Sequence, residues 1–352
     1  MRCFRRFLLL ILLLSSMGCG DILYLSRLGW HQSYITFHSA PVEELLRDEE
    51  ADPLTKEKVR FIQGVKHYGE ERFGLKKTNN YSTFFKVKGP VLHVITACEK
   101  DRLHPYSWDF PLVGKVTYKS FFRADEALEE KDILDRKGYD TFLQQAAAYS
   151  TLGWLRDPIF SSMLEWDEST LANLVLHEMA HATAYFNSRT DFNEQFATFI
   201  GNQGAIDFLT ERYGPGSKEV REAIDREGDD FLFSDWTDQA CQQLSAYYGK
   251  EISKEEKLKG REALFRSMQE NFQKMKGQFK TEEYRNVDKM ELNNAVLVAY
   301  RRYFHRLEKF EALYEYFGKD LERVVAFFKQ IRASKENPSS FLGRWMRERE
   351  LE

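Results

Sequence analysis

The order of apolar and polar residues divides the chain into a helical beginning, a strand-rich middle and a helical remainder. From Asp21 to about Gly74 the apolar residues recur at helical spacing. Three later segments are rich in β-branched and aromatic residues and are bounded by turn residues, which predicts a small antiparallel sheet. They are Tyr81–Phe85, Val91–Ala97 and Lys115–Phe122. A helical run is expected before Ala146, and beyond Gly201 the pattern predicts long amphipathic helices at Phe231–Tyr248, Lys254–Phe279 and Glu291–Phe317.

The stretch Ser169–Ala205 is predicted to form two antiparallel helices joined by a short turn. Ser169 and Thr170 offer side-chain oxygens for capping the first helix, and Asn187-Ser188 is typical of a helix end. A second helical pattern opens at Thr190, after which apolar residues again recur at helical spacing. We therefore expect a helix hairpin whose inner face is buried.

The first of these helices carries the pattern His-Glu-x-x-His, with His177, Glu178 and His181. Residues four apart lie one above the other on a helix, so the two imidazoles can converge on one metal ion. Glu178 lies near the same face, where its carboxylate can accept a proton from an attacking water without being a ligand itself. The pattern predicts a zinc site with a glutamate as general base.

A catalytic zinc site usually has three protein ligands, so the second helix should supply one more. Glu194 is our choice, because a chain that continues about a turn beyond His181 and then reverses brings that residue level with the histidine. Asp191 and Glu165 are the nearest substitutes. The competing interpretation is a solvated surface helix, and the apolar neighbours of the motif disfavour it.

The N-terminus is predicted to be a targeting segment. Residues 1–18 carry arginines ahead of an apolar run, and Ser16-Met17-Gly18-Cys19 resembles the signal at which bacterial lipoproteins are cleaved and lipidated. We therefore expect cleavage before Cys19, lipidation of that cysteine and a lipid anchor in the bacterial cell envelope. Of the remaining cysteines, Cys98 and Cys241 could pair or could stay as two buried thiols.

The composition indicates that the chain can form a large hydrophobic core, and its net charge argues against nucleic acid as a partner. The chain of 352 residues has 43% hydrophobic and 14% aromatic residues, and its formal net charge is −4, so no basic surface for nucleic acid is expected. We expect one domain over residues 19–352. It would comprise a helical start with the sheet and an edge strand (19–165), the metal-binding helices (166–210) and a helical lobe (211–352).

The sequence offers few candidates for residues that contact the substrate. A strand beside the metal commonly pairs with the backbone of a peptide, and residues 151–155, which include Thr151, Gly153 and Trp154, are the candidate for it. A buried connector that packs Trp154 against the core is an equal alternative. In the later helical region, Tyr300 is a candidate donor to the oxyanion of the reaction.

The whole mature sequence resembles a family of bacterial envelope lipoproteins predicted to be aminopeptidases. Five motifs carry the resemblance, and they stand in this order: W-D-F-P-L-V-G-K-V-T-Y-K-S-F-F, A-Y-S-T-L-G-W-L-R-D-P, L-H-E-M-A-H-A-T, N-E-Q-F-A-T-F-I-G and L-N-N-A-V-L. The resemblance implies an α+β fold, mainly helical and zincin-like, with a small antiparallel sheet next to the metal-binding hairpin. It also implies a gluzincin-like zinc peptidase with ligands His177, His181 and Glu194 and with Glu178 as general base.

The sequence therefore predicts a zinc-dependent aminopeptidase acting on peptides. An endopeptidase with the same metal chemistry is the alternative within the enzymes. A non-catalytic lipoprotein with a structural metal is the alternative outside them, and a fourth donor such as His104 or Cys98 at the metal would favour it.

Overall fold

The computed structural model describes residues 19–110, 114–146, 148–149, 151, 155–305 and 307–351, with the backbone alone for residues 19–22. The predicted targeting segment, residues 1–18, lies outside the described residues. Described helices and strands give a mainly helical α+β protein, which confirms the predicted fold class at that level. None of the described helices is long and apolar enough to cross a membrane.

Three helices form the beginning of the described chain, as the apolar spacing predicts. They are α1 (Cys19–His38), α2 (Val42–Arg47) and α3 (Pro53–Arg72). Helix α3 begins after Asp52, whose carboxylate accepts a hydrogen bond of 2.8 Å from the backbone N–H of Thr55, while Pro53 occupies the first helical position. The buried side of α3 packs on the first helix of the hairpin through Val59, Ile62 and Val65.

Eight short strands follow in three groups. They are β1 (Ala40–Pro41), β2 (Thr83–Phe85), β3 (Leu92–Glu99), β4 (Trp108–Phe110), β5 (Gly114–Val116), β6 (Lys119–Phe121), β7 (Tyr139–Ala146) and β8 (Ile159–Phe160). One sheet has the order β1-β2-β8, a second the order β6-β3-β7, and β4 pairs with β5. The second sheet is antiparallel, with Val94 opposite Gln144 and Ser120, whereas β2 and β8 run parallel.

The prediction of one antiparallel sheet was therefore wrong in two respects. Tyr81–Phe85 belongs to a different sheet from Val91–Ala97, and β7 was not predicted, because a helical run was expected up to Ala146. The helix α4 (Ala124–Arg136) ends ten residues earlier. Gln144, Gln145 and Ala146 favour helix over strand by intrinsic propensity, but pairing along the whole length of β3 outweighs that preference.

The predicted hairpin is present as α5 (Glu168–Thr183) and α6 (Thr190–Tyr213), preceded by a 3₁₀ turn at Ser161–Glu165. The cap of α5 is Asp167 rather than Ser169 or Thr170, because its carboxylate accepts a hydrogen bond of 2.8 Å from the backbone N–H of Thr170. The two helices approach closely at Gly201. A Cβ atom there would lie 3.0 Å from the carbonyl oxygen of Asn173.

The remainder is helical, as predicted. It comprises α7 (Lys218–Tyr248), α8 (Lys254–Met275), α9 (Asn294–Phe304), α10 (Leu307–Tyr316), α11 (Leu321–Ser334) and α12 (Pro338–Arg347). The segment Glu291–Phe317 contains two helices rather than one. Helix α9 begins only after Asn293, whose side chain accepts a hydrogen bond of 3.0 Å from the backbone N–H of Val296.

Buried apolar side chains form three clusters. The largest surrounds the hairpin, the second lies between α7, α8 and α9, and the third lies beneath β3 and β6 against α4. Helix α9 connects them, because it packs against α6, α7, β3 and β7. The hairpin is thereby enclosed by helices and by the second sheet, and side chains from α9 and from the β5–β6 connection reach it.

Candidate metal centre

Three predicted ligands meet at the hairpin. His177 and His181 lie one turn apart on α5, and their Nε2 atoms are 3.2 Å apart. From α6, the Oε2 atom of Glu194 lies 3.5 Å from the Nε2 atom of His177 and 3.4 Å from that of His181. The three donor atoms thus form a nearly equilateral triangle, as the spacing of the sequence predicts.

The size of this triangle fits a first-row divalent metal ion. Tetrahedral zinc with bonds of about 2.0–2.1 Å requires its ligand atoms to be about 3.3 Å apart. The observed separations are 3.2, 3.4 and 3.5 Å. Among the described residues, this group of possible metal donors contains no fourth histidine, cysteine, aspartate or glutamate. A site with three protein ligands leaves one position for water or substrate, which is typical of catalytic rather than structural zinc.

Burial and mutual attraction determine the charges of the group. Burial raises the pKa of the Glu194 carboxyl, but the adjacent His181 and His177 more than offset this, so its pKa lies well below the ordinary value. Burial lowers the pKa of His181, but Glu194 reverses the effect and the net pKa is raised. The carboxylate is therefore ionised and ready to bind a cation.

Glu178 lies on the same helix between the two histidines and is partly buried. Burial raises the pKa of its carboxyl, His177 and His181 lower it, Glu194 raises it, and the net shift is upward. A raised pKa brings a carboxylate closer to the value at which it both accepts and returns a proton near neutral pH. The carboxyl is not one of the three grouped donors.

Three tyrosines surround Glu194, and sequence reasoning did not identify them. Tyr118, from the β5–β6 connection, donates a hydrogen bond of 3.4 Å to the Oε1 atom of Glu194. The ring of Tyr303 on α9 lies 6.4 Å from that of His177. Burial and then the charge of Glu194 raise the pKa values of Tyr118, Tyr185 and Tyr303, so these phenols stay protonated as donors. Tyr118 belongs to the family-like motif that ends in T-Y-K-S-F-F, and this motif is the sequence signal that could have identified Tyr118 as a site residue.

Arg302 lies behind Tyr118 and is only 2% exposed. Its guanidinium lies 5.0 Å from the centre of the Tyr118 ring and donates to the Thr96 hydroxyl and to the Thr117 carbonyl, at 3.1 and 3.0 Å. These contacts fix the β5–β6 connection against α9. Arg302 therefore orients Tyr118 without belonging to the metal group.

The structure does not bring the predicted oxyanion donor Tyr300 to this group. Its ring packs in the second core, 5.0 Å from the ring of Phe233 and 6.0 Å from that of Phe142. Tyr300 and Tyr303 are three residues apart on α9, so their side-chain directions differ by about 60°, and it is Tyr303 whose ring reaches His177 on the hairpin. Helical spacing alone could not show which core the side chain of Tyr300 contacts.

The predicted edge strand at residues 151–155 falls partly outside the described residues, which omit Leu152, Gly153 and Trp154. The described ends, Thr151 and Leu155, are outside the strands. The backbone N–H of Leu155 donates a hydrogen bond of 3.1 Å to the hydroxyl of Thr151. The backbone N–H of Thr151 donates a hydrogen bond of 2.9 Å to the buried carboxylate of Asp157. At its two ends the segment thus has the contacts of a turn.

The other possible donors lie elsewhere. His104 is exposed and bonded to Glu99, while Cys98 and Cys241 are free, buried thiols, which resolves the open question of their pairing. Asp191 and Glu165 are outside the grouped donors. The Nδ1 atom of His181 has no hydrogen-bond partner among the described residues, so no hydrogen bond on that side of the ring orients it there.

Comparison with known proteins gives one result. No curated protein and no solved structure matches the chain. Residues 23–340, which include both helices of the hairpin and all three grouped donors, match the protein family described as "Putative aminopeptidase", and the chain belongs to that family.

Proposed function

We propose that the protein is a zinc-dependent peptidase, and that it removes residues from the N-terminus of peptides. The observation that carries the proposal is the triangle of His177, His181 and Glu194, whose edges match those of a tetrahedral zinc site with one open position. Membership of an aminopeptidase family supports the peptidase class. The absence of a fourth donor from the described group supports catalysis over a structural role.

Each residue of the site has a distinct task in this proposal. Zinc, when bound by the three donors, supplies Lewis acidity for activating water and polarising the scissile carbonyl. Glu178 accepts the proton of the attacking water and returns it to the leaving amine, a role that its raised pKa favours. The hydroxyl of Tyr303 donates to the oxygen that gains charge in the transition state, because that ring lies beside His177.

The proposal includes a place for the enzyme. We propose that it is attached to the bacterial envelope through a lipid on Cys19, which is the first residue of helix α1. This follows from the apolar run at residues 7–14 and the signal around Cys19. Nucleic acid is not a proposed partner, since the net charge of −4 offers no attraction to phosphates.

The test measures zinc per chain and hydrolysis of a peptide library for the parent protein, Glu178→Gln and His181→Ala. We expect Glu178→Gln to keep its zinc and lose about 10²–10⁴ of kcat, because the proton acceptor is removed and the ligands are not. We expect His181→Ala to lose the metal. Glu308→Gln, on the exposed side of α10, is the matched control and should change neither quantity.

Two outcomes contradict the proposal. Turnover unchanged by Glu178→Gln removes the general-base role, and an inactive parent that holds zinc through a fourth ligand indicates a structural metal. Comparing free with N-blocked peptides then distinguishes aminopeptidase from endopeptidase action. Cleavage that survives blocking excludes a strict aminopeptidase.

A further inference from the structure

Helix α1 packs on the domain along one side. Tyr24 donates a hydrogen bond of 2.8 Å to the carbonyl of Ser120 and its ring lies 5.4 Å from that of Phe121. About two turns further along the helix, Gln32 accepts a hydrogen bond from Tyr149, and Ile35 is buried in the main core. These contacts hold the helix against β6 and its neighbours.

A second apolar side of the same helix faces solvent. Its members and their exposed fractions are Leu23 (52%), Trp30 (73%), Tyr34 (50%) and Phe37 (84%), and we refer to these four residues as the exposed stripe. At 100° per residue they fall within an arc of about 60°, and they extend for about 21 Å along the axis. Four large apolar side chains in one line are uncommon on a free surface and usually mark an interaction site.

The composition of the exposed stripe fits a bilayer surface better than a protein groove. Trp30 and Tyr34 combine an apolar ring with a polar group, which suits the boundary between lipid headgroups and acyl chains. Phe37 and Leu23 would enter the apolar layer, while Arg27, which pairs with Glu126 at 3.4 Å and stays half exposed, lies beside the line.

The chain upstream supplies the second argument. Position 19 precedes Leu23 by four residues, so it lies on the same line of the helix as the exposed stripe. The eighteen residues before it include the apolar run at residues 7–14. A chain attached to a membrane at or just before Cys19 would therefore enter α1 with this face turned toward the lipid.

We propose that α1 lies flat on the membrane, with the exposed stripe inserted at the headgroup boundary and the opposite side carrying the rest of the protein. The inference rests on the proposed membrane attachment and is independent of the peptidase activity. Attachment alone would leave the domain free to tumble on a tether, whereas docking of α1 fixes its orientation relative to the bilayer.

The test uses the full chain, incorporated into vesicles of phosphatidylethanolamine and phosphatidylglycerol whose acyl chains carry bromine, a quencher of tryptophan fluorescence. We expect the brominated vesicles to quench part of the emission, and Trp30→Phe to remove more than half of that quenching. Trp345→Phe, which changes a partly buried tryptophan packed against the main core, should leave it unchanged. With Trp30 intact, Leu23→Ser combined with Phe37→Ser should reduce the quenching of Trp30 at least twofold, whereas Ile224→Ser, another exposed apolar residue, should not.

The outcomes separate the two proposals. A chain that floats with the vesicles while Trp30 stays unquenched overturns the docking and leaves the attachment standing. A chain that does not float overturns both, and peptide hydrolysis in solution still tests the enzyme. Loss of a dimer on Phe37→Ser in sedimentation, without quenching in the parent, shows that the exposed stripe joins two copies and likewise overturns the docking.

Discussion

The hydroxyl of Tyr118 donates a hydrogen bond of 3.4 Å to the Oε1 atom of Glu194, while the other carboxylate oxygen, Oε2, faces the two histidines. The two oxygens of this carboxylate thus have different partners. One faces the metal group and the other is held by a residue from the β5–β6 connection. Because ligand carboxylates are usually oriented by such outer contacts, Tyr118 should control how firmly Glu194 is held.

Tyr118→Phe removes this hydrogen bond and keeps the ring that lies against Arg302. We expect zinc affinity to fall by about 10–100-fold, because the carboxylate loses its orienting contact. Competition with a chelating dye measures it. Tyr316→Phe on the exposed end of α10 is the control, and equal affinities for both variants would contradict the role assigned to Tyr118.

Glu194→Asp withdraws the carboxylate by one methylene, which moves its oxygens out of reach of a metal held by the two histidines. We expect the purified variant to contain little zinc and to lack peptidase activity. Asp191→Asn, three residues earlier on α6, tests the nearest substitute ligand and should keep both. Metal analysis by mass spectrometry decides between them, and zinc lost from Asp191→Asn alone would transfer the ligand role.

Tyr303→Phe and Tyr300→Phe test which of the two tyrosines of α9 serves the site. Tyr303 lies beside His177, so its loss should lower kcat by about 10²–10³ with little change in KM. Tyr300 lies against the second core, where its hydroxyl donates a hydrogen bond of 3.6 Å to the sulfur of Met290. Tyr300→Phe should therefore leave kcat unaltered. Steady-state kinetics on one peptide would show the reverse order of the two variants if the roles of these tyrosines were misassigned.

Gly201→Ala should push the two helices of the hairpin apart. The added Cβ would lie 3.0 Å from the Asn173 carbonyl oxygen and 3.1 Å from its side-chain oxygen. We expect a cost of about 1–3 kcal/mol in the free energy of unfolding and weaker zinc binding. Gly64→Ala in the middle of α3 meets nothing within 4 Å and should instead stabilise the protein by about 0.5–1 kcal/mol. Thermal melts that rank the two variants in the opposite order would refute the close approach.

Asp230 makes stability depend on pH. Burial, followed by repulsion from Glu283, raises the pKa of its carboxyl from 3.8 to about 7, even though Tyr284 and Asn202 donate to it. The folded state therefore holds this proton more tightly than the unfolded chain, so its contribution to stability is greatest below about pH 4 and declines as the pH rises to about 7.

Asp230→Asn removes that decline. We expect the variant and the parent to melt at similar temperatures at about pH 4, before the decline begins, and the variant to melt a few degrees higher at about pH 8, where the parent holds a buried negative charge. Exposed Asp132→Asn is the control and should match the parent at both values. A parent that gains stability over this range relative to Asp230→Asn has the opposite sign and would exclude the raised pKa.

The sequence predicted those residues of the site that lie close to one another along the chain. His177, His181 and Glu194 lie within eighteen consecutive residues, and helical spacing with one reversal was sufficient to bring them together. Tyr118 and Arg302 come from positions 76 residues before and 108 residues after Glu194, and no periodic pattern relates such distant positions. Only the packing of α9 against the sheet brings them to the hairpin.

The fold shows the same limit. Helices were predicted well, because each one carries its own spacing and caps, as with Asn293 before α9. Strands were predicted less well, since their stability depends on partners chosen elsewhere in the chain. Strand β7 has a helix-favouring sequence at its end, and eight paired positions with β3 are what make it a strand.

The close approach at Gly201 has a consequence for how the centre assembles. Both histidines and the glutamate belong to one short reversal of the chain, so closing that loop costs little entropy and needs no distant contact. Folding can thus bring these three donors together early, ahead of the slower docking of the sheet. On the proposed function, the three metal donors would come together before Tyr118 and Tyr303 reach them, and the chain would be able to hold an ion before its peptidase site is complete.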